Sequence, residues 1–326
     1  FRSVDMARFK SEFLADYYTR HGTPLHAKAL GGIAKMAPLG SAFAPIANWI
    51  AGTSFNKKLL GVDQRRKLPE FKSNTFAKQV AGRAQSKNTK RVTLFNDTFT
   101  NHYDPEIGMA ALEVLERGGF AVDVVRPGCC GRPLISKGLL AEARESAGQL
   151  VDALYPIAQR GEKILFCEPS CLSVLKEDAA SLLRGEQQKK AQAVAKACLL
   201  WEEFAATLNL PLRAGPSKIL LHGHCHQKSM GLLSATQALL AKIPSATVVD
   251  LDAGCCGMAG SFGYTADHYD VSRAIGERRL LPSARAMEST AVLIASGMSC
   301  RHQVDDFAGV RALHPAELLQ RLLVAR

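Results

Sequence analysis

Two adjacent cysteines followed by glycine occur twice in this sequence, as "GCCGRP" at Gly128–Pro133 and "GCCGMA" at Gly254–Ala259. Cys129 and Cys130 are followed by Cys167 and Cys171 in "CEPSC". Cys255 and Cys256 are flanked by Cys225 in "HGHCHQK" and Cys300 in "GMSC". Thiolates are the ligands of iron–sulfur clusters and of structural zinc, and four per copy suit either. Neighbouring side chains on a regular strand point to opposite faces, so a vicinal pair reaches one centre only from a sharp turn. Gly131 and Gly257 permit that turn, or let the backbone approach a bulky cluster. A multi-iron cluster offers separate attachment points and suits a vicinal pair better than a single ion does. The ninth cysteine, Cys198, lies in "AVAKACLLWEEFAATL", read as helical, and is taken as a buried core residue.

The surroundings of these thiols are polar. His222, His224 and His226 flank Cys225. A zinc site can recruit one of them; alternatively His224 and His226 orient or tune a cluster from outside its ligands. The two copies differ. The counterpart of Cys225 falls near Asp97, which either binds metal through oxygen or caps a turn. The counterpart of Cys167 is Ser296. Each copy therefore lacks one thiol that the other has.

The elements that must carry these residues repeat as well. Short β-forming runs, Arg91–Phe95, Phe120–Val125 and Lys163–Phe166, alternate with helical patterns at Asp104–Gly119, Leu139–Gly161 and Leu172–Gly185. The same order returns as strands Lys218–Leu221, Thr247–Asp252 and Ala291–Ser296, with helices over roughly 229–242 and 266–281. Cys129 and Cys255 are 126 positions apart, Cys171 and Cys300 are 129 apart, and Arg91 and Lys218 are 127 apart. Such agreement indicates an internal duplication. Strands alternating with helices build parallel sheets, whose chemistry sits at the carboxyl ends of the strands. Every cysteine except Cys198 lies just past a predicted strand. The expected fold is α/β: two tandem Rossmann-like βαβ repeats, 91–213 and 214–326, preceded by a helical basic segment, 1–90.

That first segment carries all of the net charge of +11: residues 1–90 hold 16 Lys/Arg and 5 Asp/Glu, and the rest hold 25 of each. A basic surface meets solvent, an acidic partner, a membrane surface or nucleic acid. Nucleic acid is disfavoured, because "QRRK" (Gln64–Lys67) is the one tight cluster and no binding motif accompanies it. Val4–Gly22 has apolar residues at helical spacing, among them Met6, Phe9, Phe13, Leu14 and Tyr17. "MAPLGSAFAPIANWIAG" (Met36–Gly52) is read as a buried helix, with an interfacial or partner-docking helix as the alternative. Lys67–Phe76 reads as a linker. No run of 18 apolar residues suggests a membrane span. The odd cysteine count, without a secretion signal, argues against a disulfide scaffold and for a cytoplasmic setting. The first residue is not Met, which fits a fragment or a processed chain.

The motifs "GCCGRP", "CEPSC", "HGHCHQK", "GCCGMAGSFGY" and "GMSC" resemble the cysteine-rich CCG domains. These occur in heterodisulfide reductase, in the glycolate oxidase iron–sulfur subunit and at the C-terminus of FAD-linked oxidases of the D-lactate dehydrogenase type. The likeness covers most of residues 91–326. It implies a module that receives electrons from a flavoprotein oxidising a D-2-hydroxy acid, through ferredoxin-like domains or subunits, and passes them to an acceptor, a quinone or a redox protein; the alternative is a structural zinc-binding or metal-free module that docks those parts. It implies a [4Fe–4S] cluster, non-cubane in heterodisulfide reductase, with zinc in some related repeats. Its ligand sets would be Cys129, Cys130, Cys167 and Cys171, and Cys225, Cys255, Cys256 and Cys300. The chain departs from the family pattern of five cysteines ending in C-x-x-C: each copy has four, and Cys167 and Cys171 have three residues between them. No flavin domain and no ferredoxin cysteine run is present, so FAD would lie on another domain and no catalytic acid or base is expected here. A peripheral contact with the inner membrane is a further expectation.

Overall fold

Val92, Leu94, Phe95, Ile164, Leu165 and Phe166 have almost no exposed surface, as expected for strands covered on both faces. In a computed structural model, which describes residues 5–84, 86 and 88–324, they lie in a parallel sheet. Its strands are β1 (Lys90–Phe95), β2 (Phe120–Val125), β3 (Ile164–Phe166) and β4 (Cys198–Leu200), in the order β2-β1-β3-β4. A second parallel sheet holds β5 (Lys218–Leu221), β6 (Thr247–Asp250) and β7 (Ala291–Ile294), in the order β6-β5-β7. In both, the first strand is central and the chain reverses direction across the sheet between it and the third. That is where open α/β sheets form a crevice at their carboxyl ends.

The duplication reaches further than the cysteines. Leu313 pairs in parallel with Ile294, bonding through Ala295 N to Leu313 O and Leu313 N to Leu293 O, both 2.9 Å. It occupies the place that β4 takes beside β3. A helix follows each: Trp201–Ala205 and Pro315–Leu322. Each begins with the same device. Glu203 accepts from Leu200 N (2.7 Å), and Glu317 accepts from His314 N (2.8 Å), which satisfies a backbone donor that a helix start leaves free. Both helices reach across to the other half. Trp201–Ala205 packs against Leu233–Leu240 of the second half, and Pro315–Leu322 packs against Pro105–Arg117 of the first. One apolar core, including Leu94, Leu165, Trp201, Ile219, Leu221, Ile294 and Leu313, runs through both halves.

Several local expectations are corrected. Cys198 begins β4 and is not helical: the helix ends at Ala197, and pairing of Cys198–Leu200 with β3 takes over. Burial is as expected, and it pushes the Cys198 thiol up to about 12. The helical run after Cys171 contains a π-helical turn at Val174–Asp178. The 266–281 run opens as a 3₁₀ turn at Ala266–His268 and becomes α-helical only at Tyr269–Glu277.

Among the described residues the first segment folds as six helices, Met6–His21, Leu25–Gly31, Ile33–Ala42, Ala44–Gly52, Ser54–Leu59 and Phe76–Ala81, with Val4 outside the described residues. Asp5 caps the first through Ala7 N and Arg8 N, both 3.1 Å. Gly22 ends it as the glycine signal predicts. The buried-helix reading of Met36–Gly52 is overturned. Its inward face is made of small residues, Ala37, Gly40, Ser41 and Ala44, while Leu39 (67%), Ile46 (60%) and Trp49 (72%) are exposed. Small residues let the backbone approach: a Cβ on Gly40 would lie 2.6 Å from the Phe71 ring. Only one face of a surface helix can be covered, and here it is the face without large side chains. Phe9, Phe13 and Phe43 are also exposed.

One residue of "QRRK" is not a surface charge. Arg66 is 1% exposed and ties the first segment to the second half. It donates to Gly263 O (2.6 Å), Ser272 Oγ (2.8 Å), Gln303 Oε1 (2.9 Å) and Asp306 Oδ2 (2.9 Å). Removing one partner of a buried pair leaves the other charge uncompensated. Asp306→Ala is therefore expected to lower stability by about 3 kcal/mol in denaturant unfolding. Adding Arg66→Met should recover part of that loss, and full additivity of the two losses would contradict the pairing.

Candidate metal centre

The vicinal cysteines follow β2 and β6, the two equivalent strands. In the first half, Cys130 Sγ and Cys171 Sγ are 3.1 Å apart. Gly131, at φ +85°, turns the chain so that its N–H donates to Cys129 Sγ at 3.4 Å. Cys171 is the third residue of helix Pro169–Ser173. In the second half, Gly257 (φ +98°) donates to Cys255 Sγ at 3.3 Å, and Met258 N donates to Cys256 Sγ at 3.5 Å. Cys300 is likewise the third residue of its helix, Met298–Ala308. The ligand atoms of Cys256, Cys300 and His222 all lie within 4.8 Å of one another. Among the described residues this is the one such grouping of three.

Cys225 opens helix Cys225–Ser229, whose start is capped by His224 Nδ1 accepting from His226 N (3.2 Å). The equivalent helix of the first half, Thr98–His102, is capped by Asp97, which accepts from Phe99 N (2.8 Å), Thr100 N (3.0 Å) and Thr100 Oγ1 (2.6 Å). Thr98 therefore stands in the slot of Cys225, and Asp97 in that of His224. Of the two readings of Asp97, its hydrogen bonds match the cap. Cys167 does not join Cys130 and Cys171: it packs in the core common to both halves, whereas they pack in the first half's own core. Its carbonyl accepts from His314 Nε2 at 3.1 Å. The matching Ser296 is also buried, and its hydroxyl bonds to Glu202. This pair of positions points into the joint between halves.

Burial sets the protonation. It drives His222 down to about 4, and His224 and His226 to about 3, so all three imidazoles are neutral near pH 7, the form that binds metal. The bond to Cys130, together with burial, pushes the Cys129 thiol far up, and burial does the same to Cys167. Thiols in such surroundings ionise when a cation compensates them. Burial also raises Asp97 to about 6 and Glu202 to about 7.

Two residues that the sequence reading passed over, Glu168 and Arg132, position these groups. Glu168 accepts from Ser170 N (3.3 Å) with one oxygen and from Met298 N (2.9 Å) with the other. One carboxylate thus caps the helix of Cys171 and the helix of Cys300. An acidic residue before Pro169 is a helix-start signal, but the second helix is 130 positions away. Arg132 donates to Ser173 Oγ at 2.7 Å and pairs with Asp178. His222 was legible only as one of three neighbouring histidines. A cleft of about 1940 Å³ opens between the first-segment helices and the sheet ends, bordered by Ile33, Leu39, Glu168, Cys225, His226 and Cys255. Cys225 is the exposed member of the set.

Comparison with known proteins agrees with this arrangement. The family model for the cysteine-rich CCG domain matches residues 219–305, so the chain carries that domain in its second half. It is 28% identical to one of the subunits of anaerobic glycerol-3-phosphate dehydrogenase in Escherichia coli, over 88% of this chain and 74% of that one. It is 24% identical to D-2-hydroxyglutarate dehydrogenase of Pantoea ananatis, over 98% of this chain but 32% of that protein. It is 22% identical to lactate utilization protein A 1 of Bacillus anthracis, over 71% of this chain and 98% of that one.

The two turn glycines are not equivalent. A Cβ on Gly131 would meet nothing nearer than 3.7 Å, but on Gly257 it would lie 2.2 Å from Ser272 O. Gly131→Ala is expected to cost about 1–2 kcal/mol, the strain of a left-handed backbone. Gly257→Ala should exceed that by at least ~1 kcal/mol, because a backbone atom must move. Equal losses in denaturant unfolding would refute the difference.

Proposed function

We propose that this chain, which carries a cysteine-rich CCG domain, is the metal–sulfur electron-transfer part of a flavin-linked dehydrogenase acting on small hydroxy acids of the D-lactate or glycolate type. The observation that carries the reading is the buried grouping of Cys256, Cys300 and His222 at the carboxyl ends of a parallel sheet, beside a cleft that reaches Cys225. The names of the relatives, which concern glycerol-3-phosphate, 2-hydroxyglutarate and lactate, support a role in alcohol oxidation of small anionic substrates. Cys225, Cys255, Cys256 and Cys300 are the proposed ligands of the second half. Cys129, Cys130 and Cys171 are those of the first, with Cys167 joining only if the joint between halves rearranges. His224, His226 and Asp97 act as caps that fix the helices bearing these groups.

An iron–sulfur cluster, of the [4Fe–4S] type, would supply one-electron transfer at these thiols. The chain supplies the rest. Backbone N–H groups of Gly131, Gly257 and Met258 already donate to cysteine sulfurs, and such bonds to sulfur help to set a cluster's potential. The apolar surroundings keep water from the buried thiols of Cys130, Cys171, Cys256 and Cys300. Zinc is a second reading, favoured by the mixed sulfur and nitrogen donors. We propose the same division as read from the sequence, 1–90, 91–213 and 214–326.

The first segment is proposed to dock on an anionic membrane surface, where a quinone-type acceptor would be reached, while a flavoprotein partner delivers the electrons. Support comes from its exposed Phe9, Phe43, Ile46 and Trp49 together with its surplus of 16 basic over 5 acidic residues. Among the described residues no helix is long and apolar enough to cross a membrane.

Anaerobically purified protein is expected to contain iron and acid-labile sulfide and to absorb in the visible; colourless protein with stoichiometric zinc would sink the electron-transfer reading. In co-sedimentation, the protein should bind vesicles containing anionic phospholipid, release with salt, and lose binding several-fold on Trp49→Ser with Ile46→Ser. Salt-insensitive binding, or none, would count against membrane docking.

A further inference from the structure

Histidines buried in this fold generally have hydrogen-bond partners. His102 contacts Ser41 Oγ (2.7 Å), His224 accepts from His226 N, and His314 bonds Cys167 O and Ala316 N. His222 is the exception. It is 1% exposed, and neither ring nitrogen has a hydrogen-bond partner among the described residues. Leaving such a polar ring unpaired in the interior is costly unless something else satisfies it. A buried water needs several good polar partners, whereas here a ring nitrogen lies within 4.8 Å of the thiols of Cys256 and Cys300. These are weak donors and acceptors, but as thiolates they are strong metal ligands.

We propose that His222 is itself a ligand, giving the second half a mixed nitrogen–sulfur metal site that the first half does not have. Phe95 holds the equivalent position in the first half, by the same offset that matches Asp97 with His224, and its ring stacks on Phe166 with centroids 4.6 Å apart. The two halves would then hold unlike centres. Replacing a thiolate by a neutral imidazole removes one negative charge, and iron–sulfur centres with histidine ligands have higher potentials than all-thiolate ones. A second-half centre that held His222 in place of one of its four thiolates would therefore be a better electron acceptor than the all-thiolate form of the same site. This inference rests on the metal-binding reading above.

The test uses the full chain, purified without oxygen, as wild type, His222→Ala, His222→Cys and Cys256→Ser. X-ray absorption at the edge of whichever metal is found reports imidazole by its outer-shell scattering. Wild type should show that signature. His222→Ala should lose it, with loss of the metal of one half; His222→Cys should keep the metal, lack the signature and, if iron is bound, have a lower midpoint potential. Sulfur-only coordination in wild type, or an imidazole signature that survives His222→Ala, overturns the assignment. Unchanged metal in Cys256→Ser, or no metal in wild type, instead overturns the underlying metal reading.

Discussion

The shared apolar core, closed by helices that reach from one half to the other, is the constraint on which the rest of the molecule depends. Trp201–Ala205 stays against β3 and β4 of its own sheet while also packing on Leu233–Leu240 of the second half, and Pro315–Leu322 packs on Pro105–Arg117 of the first. Burial of large side chains such as Trp201 and Leu319, each worth roughly 2 kcal/mol or more, fixes how the sheet ends face each other. Glu168 can cap two helices from different halves only because of that fixed relation, and His314 can reach Cys167 O for the same reason. The cysteine turns are set into a frame that neither half builds alone.

Much of this frame was legible in the sequence, because strong local periodicity repeats at a near-constant offset. The first three strands of each half, the parallel pairing and the strand-end position of the thiols all follow from apolar runs of the right length. The fourth strand was not legible. Cys198–Leu200 is three residues long and continuous with a helical pattern, so its partner β3 decides its conformation. Leu313 is a single bridging residue, below the length at which periodicity carries information.

The outward-facing apolar surface of the first segment was hidden for a different reason. Spacing tells which residues share a face and not whether that face is covered. In Met36–Gly52 both faces are apolar, and close approach favoured the small one. Arg66 shows the converse: charge predicts exposure on average, but four oxygen partners make burial of a guanidinium tolerable. Neither outcome is written in the local sequence. The same holds for His222, whose significance is that it lacks partners, a property of the folded neighbourhood only.

The reach of these helices across the halves has a consequence for the history of the chain. A half resembling either repeat, standing alone, would leave an apolar sheet-covering face bare, and a second copy would be the natural cover. Such a pair comes apart on dilution, because association costs translational and rotational freedom. Joining the copies in one polypeptide makes the contact intramolecular and independent of concentration. It also releases each copy from having to match the other. Thr98 could replace a thiol on one side, and Ser296 on the other, without either change being imposed twice.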